Sequence, residues 1–184
     1  MESRDLLLTA FDDVEEAVRG AVEGIAPELL TARVDPEANT IGWLVWHLTR
    51  VQDDHVSEVA GVEQAATANG WADRFGLPFD PGAIGYGFSS DDVGRTRVTD
   101  PELLLGYHAD VHARTAEFLR TLSAADLDRV VDERWDPPVT LGVRLLSVIG
   151  DDLQHAGQAA FLRGSLERRR AHGTGCRPRV ASER

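Results

Sequence analysis

Apolar residues recur at helical spacing from the start of the chain: Leu7, Leu8, Phe11, Val14, Val18, Val22 and Ile25, with acids between them. That spacing draws one apolar stripe along a helix over 3–24. Pro27 and Pro36 bracket a short connection, after which Asn39 or Thr40 can cap a second helix. This second helix runs from 41 to near Gly61. Its stripe reads Ile41, Leu44, Leu48, Val51, Val59 and Val62, and His47 and His55 fall inside it, whereas Arg50, Asp53 and Ser57 fall on the polar face. Asp100-Pro101-Glu102 is a cap followed by proline in the first turn, and starts a third helix that ends near Leu122. Ser123–Asp126 can cap a short turn. The stretch RWDPPVT is an extended entry in which Pro137 and Pro138 exclude helix. The fourth helix begins at Thr140 or Leu141 and ends near Gly164, with the stripe Leu141, Leu145, Val148, Ile149, Ala156, Ala159 and Ala160.

Between the second and third helices, residues 62–98 lose this periodicity and fill with Gly, Pro and aromatic residues, as in NGWADRFGLPFDPGAIGYGF. Only Trp71–Phe75 suggests a helical turn. A connection this long reads as an ordered crossover over one end of the bundle, as a lid, or as both. Four long helices without a convincing strand predict an all-α four-helix bundle over 1–164. The long crossover permits the second and third helices to run parallel. Residues 165–184 are Arg-rich, have little to bury and read as a disordered tail. There is no internal repeat.

Composition narrows the function. The 184 residues correspond to one domain, and 42% apolar with 27% charged residues is ordinary for a globular protein. No run approaches the roughly 20 apolar residues that span a bilayer. The first residues, MESRDLLLTAFDD, lack a basic leader region and a small-residue cleavage site, so a cytoplasmic protein is expected. Cys176 is the single cysteine, which excludes an internal disulfide and a cysteine-rich metal site. The net charge is −12, yet from Arg163 onward seven Arg and two Glu give +5, leaving −17 on the rest. So acidic a body repels phosphate backbones and is not expected to bind nucleic acid. All 19 basic residues are Arg, as in a GC-rich genome.

The candidate chemistry sits on the second and fourth helices. An imidazole facing a core needs a partner for each nitrogen. His47 and His55 face the core, Asp152 lies inside the stripe of the fourth helix, and Asp151 and His155 flank that stripe together. Four residues apart, Asp151 and His155 meet on one helix face. Helix-borne carboxylate and imidazole at such spacing either hold a metal in a bundle core or form a buried His–Asp hydrogen-bond network. His55 could act as acid or base, and Asp54 could orient His47 as an acceptor. His108 and His112 also have chelating spacing but no obvious shared acid. Trp43, Trp46, Trp71 and Trp135 could wall a pocket. No Ser-His-Asp motif, P-loop or dinucleotide fingerprint is present.

The pieces TIGWLVWHLTRVQDDH and VIGDDLQHAGQAAFLRG resemble the second and fourth helices of the DinB-like superfamily, especially the actinobacterial branch related to mycothiol-dependent maleylpyruvate isomerase. The resemblance spans about 3–164. It implies a divalent-metal site with His47, Asp151 and His155 as ligands. Gln158 and Arg163 fall where the family's HxGQ…LR pattern continues. Relatives usually carry Glu or His where this chain has Asp151, so Asp152 is an alternative acid. Two imidazoles and a carboxylate leave positions open for substrate, and suit Zn²⁺ or Ni²⁺. The activity implied is transfer of, or isomerisation assisted by, a low-molecular-weight thiol acting on an electrophile. A metal-dependent hydrolase and a non-catalytic metal-binding or stress-response module are the alternatives. A homodimer is possible through an exposed helix face.

Overall fold

A computed structural model describes residues 2–173. Four long helices, α1 (Ser3–Val22), α2 (Ile41–Ala60), α6 (Pro101–Thr121) and α7 (Leu141–Gly173), form the bundle, and three short ones, α3 (Ala65–Ala68), α4 (Trp71–Phe75) and α5 (Ser90–Arg95), lie in the crossover. Local chemistry explains the boundaries. Thr40 caps α2 by accepting from the Trp43 amide, and Gly61 ends it in the left-handed conformation. Asp100 caps α6, with Pro101 in its first turn. The crossover contains the expected turn at Trp71–Phe75, but also α3 and α5, which the periodicity did not announce because each is only one or two turns long.

Two apolar clusters show how the helices run. One joins Val14–Val22 of α1, Ile41–Leu48 of α2, Leu104 of α6 and Ala156–Leu166 of α7. The other joins Leu7 and Phe11, Val56, Leu119, and Leu141–Ile149 of the same helices. The chain therefore ascends in α1 and α7 and descends in α2 and α6, so α2 and α6 are parallel. Both α6 and α7 pack against α1 and α2. Between the clusters the buried residues turn polar. Gln52 donates to Thr115, Thr49 bonds His108, and Asp152 faces this middle level.

Four expectations need correction. First, Arg50, Asp53 and Ser57 are buried, whereas Val62 is exposed. The crossover wraps the supposed polar face of α2, and Arg50 and Asp53 enter as a buried ion pair. Second, α7 continues past Gly164 to Gly173. Leu162 and Leu166 are buried, Arg163 donates to the carbonyls of Gly20 and Glu23 at the end of α1, and Arg170 pairs with Glu28. Residues 165–173 are thus part of the bundle; the rest of the expected tail, 174–184, lies outside the described residues. Third, a small antiparallel pair, β1 (Val130–Asp132) and β2 (Val139–Thr140), frames the proline stretch. Fourth, Ala160 is exposed.

Candidate metal centre

The structure brings His47, Asp151 and His155 together: one ligand atom from each lies within 4.8 Å of the others. Asp151 Oδ1 and His155 Nε2 are 3.7 Å apart, close to the roughly 3.4 Å that two 2.1 Å bonds subtend at a tetrahedral angle. The imidazoles of His47 and His155 meet edge to face at 4.9 Å, and the Trp43 indole stacks on His47 at 4.6 Å. His47 is buried, while Asp151 and His155 are half-buried, so the site opens towards solvent on the α7 side.

The tautomers suit ligation. His47 Nδ1 bonds the Ile84 carbonyl at 2.5 Å; as Nδ1 is then the donor, Nε2 keeps its lone pair. His155 Nδ1 lies 3.4 Å from Gln158 Oε1, which leaves its Nε2 for Asp151 or an ion. Burial lowers the His47 pKa below 6.5, against the raising effect of the Ile84 carbonyl, so the ring is neutral at neutral pH. Asp151 Oδ2 is buried without a hydrogen-bond partner. A carboxylate oxygen left bare beside two imidazole lone pairs is a deficit that a cation would fill. The donor set fits a divalent ion.

Sequence reasoning missed what holds His47. Asp54 does not orient it; it accepts from Gln64 and lies 3.6 Å from His55. The partner is instead a backbone carbonyl of the crossover, delivered by Gly85 at φ +89°. A Cβ on Gly85 would come within 2.9 Å of His47 Nδ1 and 3.0 Å of the Trp46 ring. Only the glycines of GAIGYGF hinted at so close an approach.

The other candidates separate from the centre. Asp152 is fully buried, lies outside the converging group, and has no hydrogen-bond partner on either oxygen. Burial, reinforced by the Asp151 charge, raises its pKa well above that of a free carboxyl. Unfolding releases the group to ionise near 3.9. Its stabilising share is therefore complete below that pH and is lost as pH rises towards the higher folded value. Asp152→Asn is expected to raise stability by about 1–3 kcal/mol at pH 8, and by less at pH 5, when urea midpoints are compared. A loss at both pH values would show that donors or a cation hold the carboxylate.

His55 sits further along α2 beside Asp54 and the Arg144 charge, and burial lowers its pKa. His108 is fully buried against Thr49, and desolvation drops its pKa to about 3, while His112 turns to Asp12 and Glu15 on α1. These two histidines share no ligand acid among the described residues. Trp46 and Trp71 do not wall the centre; they line a separate cavity of about 250 Å³ beneath the crossover, with Phe75, Phe79 and Tyr107. Trp135 is exposed. Of the four tryptophans, only Trp43 borders the site. Among the described residues no helix is long and apolar enough to cross a membrane.

No curated protein matches the chain significantly. A conserved protein from Enterococcus faecalis, known from a crystal structure, shares the fold with a TM-score of 0.82 and 26% sequence identity, over 89% of this chain and 96% of that one. The family model for the DinB superfamily matches residues 10–159, a span that contains α2, the crossover, α6 and all three converging residues. That match covers most of the chain and contains the His/Asp/His group, and the chain belongs to the DinB superfamily.

Proposed function

We propose that the protein is a divalent-metal-dependent enzyme that acts with a low-molecular-weight thiol, of the mycothiol type, on an electrophilic substrate. The reaction is S-transfer or a thiol-assisted isomerisation, with zinc or nickel as the ion. The observation that carries this reading is the convergence of two imidazoles and one carboxylate at a half-open site. Three protein ligands leave room for an incoming group, the pattern of a catalytic rather than a structural centre. A bound ion supplies Lewis acidity, which lowers the pKa of a thiol or water entering its coordination sphere.

The chain's own residues do the rest. The Ile84 carbonyl accepts from His47 Nδ1, and Gln158 Oε1 lies beside His155 Nδ1, which leaves the Nε2 atom of each ring to serve as the ligand. Trp43 shields the buried face of His47 from water.

The test is metal content by mass spectrometry on untagged protein, followed by turnover of a generic electrophile with and without thiol. Wild type is expected to carry about one equivalent of zinc or nickel, and His155→Ala to lose it along with thiol-dependent turnover. Turnover of an ester without thiol would favour the hydrolase. Metal binding without any rate above that of the free ion would favour a non-catalytic module. Wild-type protein that takes up no metal would make the three residues a hydrogen-bond network.

A further inference from the structure

The cavity beneath the crossover shares none of the three residues that converge at the metal centre. Five of its wall residues are aromatic: Trp46, Trp71, Phe75, Phe79 and Tyr107. The rings form two groups, and members of both line the cavity. Trp71 and Phe75 flank Tyr107 at 5.7 and 5.6 Å; Trp46 and Phe79 flank Phe88 at 6.1 and 4.5 Å. Protein interiors rarely leave rings beside so large a void. At about 250 Å³ the space lies a little below the roughly 300–1,000 Å³ of drug-sized ligand sites, and suits a smaller molecule.

The walls are anchored without any ligand. Trp71 donates from Nε1 to Asp110 at 2.6 Å and packs on Gly106, where a Cβ would come within 2.9 Å of the indole. Glycine inside α6 weakens the helix, and here it makes room for that ring. Tyr107 is buried, and its hydroxyl is fixed between Asp53 and Arg50.

Charge decides what the rings can hold. The only charged side chains in the lining are Arg50, Asp73 and Asp80. Arg50 has no donor to spare: its five N–H groups serve the Ala83 and Pro81 carbonyls, Asp53, Tyr107 and Gln64. Asp73 and Asp80 are exposed, which puts their carboxylates at the mouth. An anion would therefore meet two carboxylates and no free cation. Aromatic faces attract positive charge. Two of these rings already do so on the protein's surface, where Arg74 lies 4.3 Å from the Trp71 centroid and Arg95 5.1 Å from that of Phe79. Neither arginine lines the cavity.

We propose that this cavity is a binding site for a small alkylated ammonium ion, held by the aromatic walls with Asp73 and Asp80 at its entrance. Alkylation matters because the wall offers few free acceptors. The Pro81 and Ala83 carbonyls already accept from Arg50, so a bare ammonium would lose water bonds that the rings do not replace. A quaternary ammonium has no N–H to satisfy and spreads its charge over methyl groups.

The test is isothermal titration of the full chain with choline and with its uncharged carbon isostere, 3,3-dimethylbutan-1-ol. Choline is expected to bind saturably with a Kd of about 1 mM or tighter, and the isostere at least tenfold more weakly. Trp71→Leu should weaken choline tenfold or more. Asp73→Asn/Asp80→Asn, at two exposed positions, should weaken it severalfold with an unchanged circular dichroism spectrum and melting temperature, which separates the site from folding. His155→Ala should keep wild-type affinity, which separates it from the metal centre. No saturable binding of choline up to about 10 mM overturns the proposal. Equal binding of the isostere overturns it too, leaving a merely apolar cavity. So does choline binding that the Trp71 and Asp73/Asp80 variants leave unchanged, or that His155→Ala abolishes.

Discussion

Asp53→Ala is expected to destabilise the protein by about 3–5 kcal/mol, because it strands a buried cation and four other donors at once. The carboxylate of Asp53 accepts from Arg50 Nη1 at 3.2 Å, from the Tyr107 hydroxyl at 2.7 Å, from Ser57, and from the backbone amides of Ala65 and Ala66. Arg50 in turn donates to Tyr107, Gln64 and the Ala83 and Pro81 carbonyls. Burial holds the Tyr107 pKa well above its ordinary value, so its hydroxyl stays a donor. This network ties the start and the middle of the crossover to α2. At about 2–4 °C per kcal/mol for a chain of this size, the melting temperature should fall by roughly 6–20 °C. Hydrogen exchange should also show lost protection at Ala65 and Ala66 before the bundle helices. A loss below about 1 kcal/mol would mean that the pair does no more than an exposed one.

His47→Ala is expected to lower affinity for zinc or nickel by more than 100-fold, the second large effect, since it removes the most buried of three ligands. Gly85→Ala is the subtler counterpart. Its φ of +89° disfavours any side chain, and the new methyl would press on His47 Nδ1 and displace the Ile84 carbonyl. Partners that orient ligating histidines are typically worth 10–100-fold in metal affinity, and a loss in that range is expected here. Competition titration against a chromophoric chelator measures both variants. Unchanged affinity in Gly85→Ala would show that the carbonyl does not hold the ring. Unchanged affinity in His47→Ala would remove the site.

The two networks meet in the crossover. Ala83 bonds Arg50 and Ile84 bonds His47, so adjacent carbonyls of one segment serve the structural ion pair and the candidate metal centre. Loosening the first should therefore weaken the second, and Asp53→Ala is expected to bind metal less tightly than wild type even where it remains folded.

How much of this was legible in the residues follows from the range of each interaction. Helix starts depend on a few neighbouring side chains, so Thr40, Asp100-Pro101 and Ser123 could be read directly. Asp151 and His155 meet because a helix turn sets their spacing, and His47 was visible as an imidazole on an apolar stripe. The four-helix class and the parallel run of α2 and α6, permitted by the long connection, follow from periodicity and its interruption. Other features depend on what comes near from far along the chain. Arg50 and Asp53 fall on the polar side of a helical wheel, and only the crossover folding over them makes that side interior. The partner of His47 is a main-chain carbonyl, which every residue carries, so no residue type advertises it. The end of α7 depends on Leu162 and Leu166 finding the cluster near α1 and α2, a gain that outweighs the polar composition of 163–173. Side-chain pattern thus determined the helices and two-thirds of the candidate ligand geometry. The tertiary structure decided which polar groups are buried and which backbone atoms serve them, because burial belongs to the neighbours that a residue acquires on folding.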